Sequence, residues 1–221
     1  MTTFIFLRHA VSTANEAGLL AGRAPGVFLS KKGELQANSL VSELKSLQID
    51  KVLVSPQERC LQTITPWLKH AGKKVRVEPA FQEMNYGDWT GSKLKSLSKF
   101  KEWKQIQKSP STFQFPNGES FTAAQSRVQR GLTALAKKHP TSNILIVSHG
   151  DIIKLAVAST LNLDLDEFQR IVIDPASMTT IVWQGRQKSL LALNSGSRKG
   201  KAQRKSKHLA TRRVLGGGSG E

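Results

Sequence analysis

Two histidines and two arginines stand where short apolar runs give way to polar sequence. Residues 4–7, Phe-Ile-Phe-Leu, lead straight into Arg8 and His9. Residues 144–147, Ile-Leu-Ile-Val, lead into Ser148, His149 and Gly150, and a helical pattern follows at once. Residues 52–54 lead into Ser55-Pro-Gln-Glu-Arg59, where Pro56 reads as the first turn of a helix. A guanidinium grips phosphate oxygens through paired N–H groups. A neutral imidazole held beside such groups can attack phosphorus. A helix that begins at Gly150 adds free backbone N–H groups and the positive end of its dipole, which favour an anion. One His after an apolar run is usually a polar cap. Two His and two Arg at three strand-to-helix junctions point to a phosphate site.

The elements that must position these residues are legible as alternating strands and helices. The runs at 4–7, 52–54, 144–147 and 171–173 are short, continuous and largely β-branched, as strands buried on both faces are. Leu40, Val41, Leu44 and Leu47 keep helical spacing after Gly33. Phe121, Ala124, Val128, Leu132 and Leu135 give an apolar face to residues 119–138, and Ile152, Ile153, Ala156 and Val157 do so after Gly150. Residues 179–183 and 190–193 flank Gln184-Gly-Arg-Gln187 and read as a hairpin. The sum is an α/β domain whose central, mostly parallel sheet is covered by helices. Ligands of such sheets bind outside the carboxyl ends of the strands, where Arg8, His9, Arg59 and His149 fall.

Composition narrows the partners. The 221 residues carry 33 Lys and Arg against 16 Asp and Glu, a formal net charge of +17. The last 26 residues hold eight basic residues and one acid, yet residues 1–195 remain basic without them. Anionic partners are expected, whether phosphate esters, nucleic acid or a membrane surface. Residues 196–221 are nearly free of apolar residues and are expected to be a disordered basic tail, capable of weak, sequence-independent contact with anions or nucleic acid. Residues 92–118 hold six Lys and end in Phe-Pro-Asn-Gly, which reads as a basic helix and loop, a cap segment over the site. One cysteine, Cys60, excludes an intramolecular disulfide framework, and it is expected to be a small buried hydrophobe. No apolar run approaches a membrane span, and the first residues lack a basic leader segment, so a cytoplasmic protein is expected.

With those residues in place, the sequence resembles the histidine phosphatase superfamily, which also contains the cofactor-dependent phosphoglycerate mutases. The likeness runs through Leu-Arg8-His9-Ala10-Val-Ser12-Thr-Ala-Asn15, Ser55-Pro-Gln-Glu-Arg59-Cys-Leu-Gln-Thr63 and Glu83-Met-Asn-Tyr-Gly87-Asp-Trp89-Thr-Gly91. It closes with Pro116-Asn-Gly118-Glu119-Ser120 and Ser148-His149-Gly150, in the family order over about residues 1–195. The resemblance implies a phosphoglycerate mutase-like three-layer α/β/α sandwich. It implies His9 as nucleophile, forming a phosphohistidine, with Arg8, Arg59 and His149 clamping the phosphoryl oxygens. It makes Glu83 the general acid and base, and places Asn15 and Gly150 against the substrate. It implies no cofactor and no metal, because arginine and histidine supply the positive charge.

Two departures bear on function. Ala10 replaces the usual Gly after the nucleophile, which would strain the chain if that position required φ > 0. The paired arginines that follow the acid segment in the mutases are not found in residues 92–118. A phosphomonoester hydrolase acting on a small phosphorylated metabolite is therefore expected. The mutase reaction is the alternative, and a catalytically degenerate binder of nucleic acid or acidic surfaces is a second. Trp89 is expected to pack, Asp151 to cap its own helix, and Glu119 and Ser120 to start a helix.

Overall fold

The computed structural model describes residues 1–185 and 187–196, so the expected basic tail lies almost wholly outside the described residues. In chain order the elements are β1 (Thr2–Arg8), α1 (Thr13–Glu16), α2 (Lys31–Lys45), β2 (Lys51–Val54), α3 (Glu58–Ala71), β3 (Val75–Val77), α4 (Leu94–Leu97), α5 (Lys101–Lys108), α6 (Phe121–Lys138), β4 (Asn143–Ser148), α7 (Gly150–Thr160), β5 (Met178–Gln184) and β6 (Gln187–Ser195). They build one sheet in the order β3-β2-β4-β1-β5-β6. The first four are mutually parallel, while β5 runs antiparallel to β1 and β6 antiparallel to β5. The sheet is thus mixed, with a parallel half that carries the site and an antiparallel hairpin on its flank.

Strand periodicity sorts the core into two layers. Phe4 and Phe6 of β1, with Ile144 and Ile146 of β4, face a cluster closed by Phe121, Val128 and Leu132 of α6 and Ile152 of α7. Ile5, Leu7, Leu145 and Val147 face the opposite cluster, closed by Leu40 and Leu44 of α2 and Ile64 and Trp67 of α3. This is the expected α/β/α sandwich. Every residue of α7 is buried, so that helix is wrapped on all sides. Ser120 caps α6 by accepting from the Ala123 amide, close to the expected start. Gly33 does not precede α2 but lies inside its first turn. A Cβ there would meet the Val11 carbonyl oxygen at 2.0 Å, so only glycine lets the helix pack against the chain leaving β1. Pro56 sits before α3 rather than in its first turn, two residues ahead of Glu58, with Gln57 as the N-cap.

Two expectations are corrected, and one strand was not expected. Residues 171–173 form no strand: Ile171 and Ile173 are buried, but both sides of β1, whose Arg8 they meet, are taken by β4 and β5. The Ile173 carbonyl instead accepts from Arg8 Nη1 at 2.5 Å. The edge strand β3 has three residues, too few to show a period, and was not foreseen. Residues 92–118 hold two short helices and a 3-10 turn rather than one basic helix. Their Leu97, Ile106, Phe113 and Phe115 are buried in the core that also holds Phe4 and Phe6. Trp89 packs as expected, edge-on to Phe100 and Phe115.

Candidate active site

The parallel strands end together, and each ending is tied to its neighbour. The His9 amide donates to the Ser148 carbonyl at 2.9 Å, and the Ser55 amide to the Val147 carbonyl at 2.9 Å. Three strand ends therefore hold His9, His149 and the start of α3 in fixed register. The two imidazoles lie with centroids 5.2 Å apart. His9 Nδ1 donates to the carbonyl of Ala10 at 2.8 Å. That bond places the ring proton on Nδ1 and leaves the Nε2 lone pair as the reactive one. Ala10 itself is fully buried and is not among the positive-φ residues, so its methyl group is accommodated without backbone strain.

Arg59 enters from the first turn of α3 and touches both rings. Its Nε donates to His9 Nε2 at 3.3 Å, and its Nη2 to His149 Nδ1 at 3.2 Å and to the Gly22 carbonyl at 2.8 Å. Nη1 is buried and has no hydrogen-bond partner among the described residues. A buried N–H pair of a cation without an acceptor is costly, and an anion's oxygen would satisfy it. Arg59 can only donate, so His149 accepts at Nδ1 and carries its proton on Nε2. That proton faces Ser55 Oγ at 2.6 Å and Gln57 Oε1 at 3.1 Å, and Ser55 donates onward to Gln57 Oε1 at 2.6 Å. Burial, reinforced by Arg59, holds both histidines well below the usual imidazole pKa, so both are neutral bases near pH 7.

Glu83 arrives on the loop after a 3-10 turn at Pro79–Phe81. Its Oε1 accepts from the Met84 amide at 2.9 Å, and its Oε2 lies 3.6 Å from His149 Nδ1. Burial, with the Asp151 carboxylate adding to it, raises its pKa to about 7. A carboxyl at that value is about half protonated at neutral pH and so can both give and take a proton, as an acid that must also serve as a base requires.

The loop is fixed on several sides. Ser148 Oγ donates to the Phe81 carbonyl at 2.7 Å. Arg127 of α6 donates through Nη1 to the carbonyls of Ala80 and Gln82, at 2.8 and 3.0 Å. Glu119 receives Arg127 Nε and Nη2, both at 2.9 Å, and Arg23 Nη2 at 3.0 Å. Glu119 therefore does more than start α6, because its carboxylate ties the acid's loop to the helix. Residues 116–118 lie across the same loop, with the Asp88 amide donating to the Pro116 carbonyl at 3.0 Å. Gly87 has φ +52, and a Cβ there would meet the Pro116 oxygen at 1.9 Å.

The structure thus gathers His9, Arg59, His149 and Glu83 around one point, with Arg8 buried at the adjoining end of β1. Asn15 is placed differently from the expectation. Its Oδ1 accepts from the Ser12 amide at 3.0 Å and from Ser12 Oγ at 2.9 Å, closing a capping box on α1. Only its amide nitrogen is left for a ligand. Gly150 opens α7 behind His149. Four contributors escaped the sequence reading: Ser55, Gln57, the Gly22 carbonyl and Arg23. Ser55 and Gln57 lie within the Ser55–Thr63 stretch, but nothing in their spacing marks an imidazole partner. Asp151 is a buried carboxylate rather than a simple cap, accepting from Tyr86 OH at 2.8 Å and paired with Lys154 at 3.2 Å. Cys60 is buried as expected, and burial pushes its thiol up to about 12.

Comparison with known proteins shows the family and the fold. A phosphoserine phosphatase 1 of Hydrogenobacter thermophilus is 28% identical over 199 residues, covering 88% of this chain and 92% of that one. An adenosylcobalamin/alpha-ribazole phosphatase of Salmonella typhimurium is 32% identical over 163 residues, covering 71% of this chain and 78% of its own. The crystal structure of a putative alpha-ribazole-5'-P phosphatase from Escherichia coli superposes with a TM-score of 0.80 at 28% identity, covering 88% of this chain and 96% of that one. The model of branch 1 of the histidine phosphatase superfamily matches residues 4–196, and the chain belongs to that superfamily.

Proposed function

We propose that this chain is a metal-independent phosphomonoester hydrolase that works through a phosphohistidine at His9. The observation that carries this reading is the pairing of a neutral, buried His9 with Arg59. The Nδ1 of His9 is held by Ala10, and its Nε2 faces a guanidinium whose Nη1 is unpartnered. His9 Nε2 attacks phosphorus in line with the ester oxygen, forming the N–P bond as the P–O bond breaks. Arg8 and Arg59 face the phosphoryl oxygens and stabilise charge as it develops, while His149 holds Arg59 through Nδ1 and joins the clamp once Nδ1 takes up a proton. Glu83 gives its proton to the departing alkoxide. The resulting carboxylate takes a proton from water, whose oxygen displaces His9 and releases phosphate. Among the described residues no group of three or more His, Cys, Asp or Glu is placed to hold a metal ion. The relatives named above are phosphatases of phosphoserine and of ribazole phosphates, which supports a small phosphorylated metabolite as substrate. No helix of the described residues is long and apolar enough to cross a membrane.

The test is hydrolysis of p-nitrophenyl phosphate and of phosphoserine in excess EDTA, with wild type beside His9→Ala. The expected result is turnover by the wild type, unaffected by EDTA and lost in the variant. Activity surviving in His9→Ala overturns the phosphohistidine route. Conversion of 3-phosphoglycerate to 2-phosphoglycerate without phosphate release would make the chain a mutase instead. Silence on every ester, with salt-sensitive binding of nucleic acid, would favour a degenerate fold used for binding.

A further inference from the structure

Arg23 is a cation with one donor group left over, placed on the residue that carries the acid. It follows Gly22, whose carbonyl holds Arg59. Its Nε donates to the Glu83 carbonyl at 2.8 Å, and its Nη2 to Glu119 at 3.0 Å. Nη1 makes no hydrogen bond among the described residues, and the side chain is 30% exposed. While Glu83 carries its proton, the charge around Arg23 does not balance. Glu119 supplies one carboxylate to two guanidiniums, those of Arg23 and Arg127. Arg127 uses Nε, Nη1 and Nη2 on Glu119, Ala80 and Gln82. The surplus positive charge therefore has its open donor at Arg23 Nη1. With two of its three nitrogens bonded, this guanidinium is held in place before any ligand arrives, which lowers the entropy cost of using it.

Resting on the hydrolase reading above, we propose that Arg23 is a specificity residue whose Nη1 receives a carboxylate on the alcohol half of the substrate. The alcohol half must lie against Glu83, because Glu83 protonates its oxygen. A group a few bonds beyond that oxygen meets the guanidinium fastened to the Glu83 peptide. One surplus positive charge matches one carboxylate. The preferred esters are thus phosphorylated hydroxy or amino acids rather than phosphates of neutral alcohols.

3-Phosphoglycerate and glycerol 3-phosphate differ in having a carboxylate or a CH2OH group at the same carbon, and so isolate the contact. The readout is the ratio of their kcat/KM values in wild type, Arg23→Gln and Arg23→Lys. A hydrogen bond to a charged group corresponds to a preference of roughly 10- to 100-fold. The wild type is expected to favour 3-phosphoglycerate by that factor, Arg23→Gln to lose the preference, and Arg23→Lys to recover part of it. If Arg23 only holds the loop, both esters suffer equally and the ratio does not move, which overturns the proposal. A wild type without turnover would refute the hydrolase reading but not this one. In that case calorimetric binding of the two esters to His9→Ala decides: a preference abolished by Arg23→Gln supports the proposal, and equal or absent binding overturns it.

Discussion

Replacing Glu83 by Gln separates the cost of a buried acid from its catalytic use. Folding raises its pKa from 4.5 to about 7, chiefly by burial and then by Asp151. A rise of about 2.5 units, at about 1.36 kcal/mol per unit, makes the ionised form about 3 kcal/mol less favourable in the folded protein than in the unfolded chain. The direction follows from the raised value. The protonated carboxyl is fully compatible with the fold below about pH 4.5, and stability is lost as pH rises toward about 7. Glutamine is neutral throughout. The variant should therefore gain on the wild type between about pH 5 and about pH 8, with the difference levelling above that. For a chain of this length, about 3 kcal/mol corresponds to roughly 6–12 °C in Tm. Paired thermal and urea unfolding across that range reads the difference directly, and titrations shared by the two proteins cancel. A stability difference that does not change with pH would refute the burial argument. Rapid-quench kinetics gives the second reading. Phosphoenzyme formation in the wild type should fall about tenfold per unit above about pH 7, and its hydrolysis should fall below that pH.

Two further perturbations address the supports of the site. Gly87→Ala puts a side chain at φ +52 and a methyl group 1.9 Å from the Pro116 oxygen. Its cost should be roughly 2–4 kcal/mol in urea unfolding, with kcat falling as the acid's loop shifts. Unchanged stability would show that the contact between the two segments yields easily. Ser55→Ala removes the 2.6 Å partner of His149 Nε2. It should cost about 1–3 kcal/mol and lower kcat more than it raises KM, with Ser55→Thr restoring most of the loss. An unaltered kcat would mean that Gln57 alone orients His149.

The parts of the fold that the sequence made legible are those with a period and a clean boundary. The runs at 4–7 and 144–147 are apolar on both faces and end abruptly in charge, so both the strands and the residues at their ends could be read. Residues 171–173 have the same composition. Sheet membership, however, depends on an open neighbouring strand, and that is a property of the whole topology. The site divides in the same way. Arg8, His9, Arg59 and His149 follow from strand ends. Glu83 sits in an irregular loop, without periodicity, and was placed only by resemblance to a family. Asn15 was assigned to the pocket on the same ground, yet its carbonyl oxygen serves Ser12. Ser55, Gln57 and Arg23 act through partners 94, 92 and 60 residues distant, and no local pattern records such pairs.

The segment at residues 92–118 shares the core but not the chemistry. The side chains of His9, Arg59, His149 and Glu83 take their hydrogen-bond partners from elsewhere, at residues 10, 22, 55, 57, 60 and 84 and from one another. The segment is attached by Leu97, Ile106, Phe113 and Phe115, at its start by backbone bonds from the Leu94 amide to Gly18 and from the Leu20 amide to Ser92, in its middle by Gln169 donating to the Ile106 carbonyl and the Ser111 amide donating to Asp166, and at its end by the Asp88 amide donating to Pro116. Its middle, residues 94–112, is therefore separable from the cradle in a way that its end, which carries Pro116 against Gly87 of the acid's loop, is not. Changes confined to residues 94–112 that keep Leu97 and Ile106 should thus leave in place the groups that handle phosphorus.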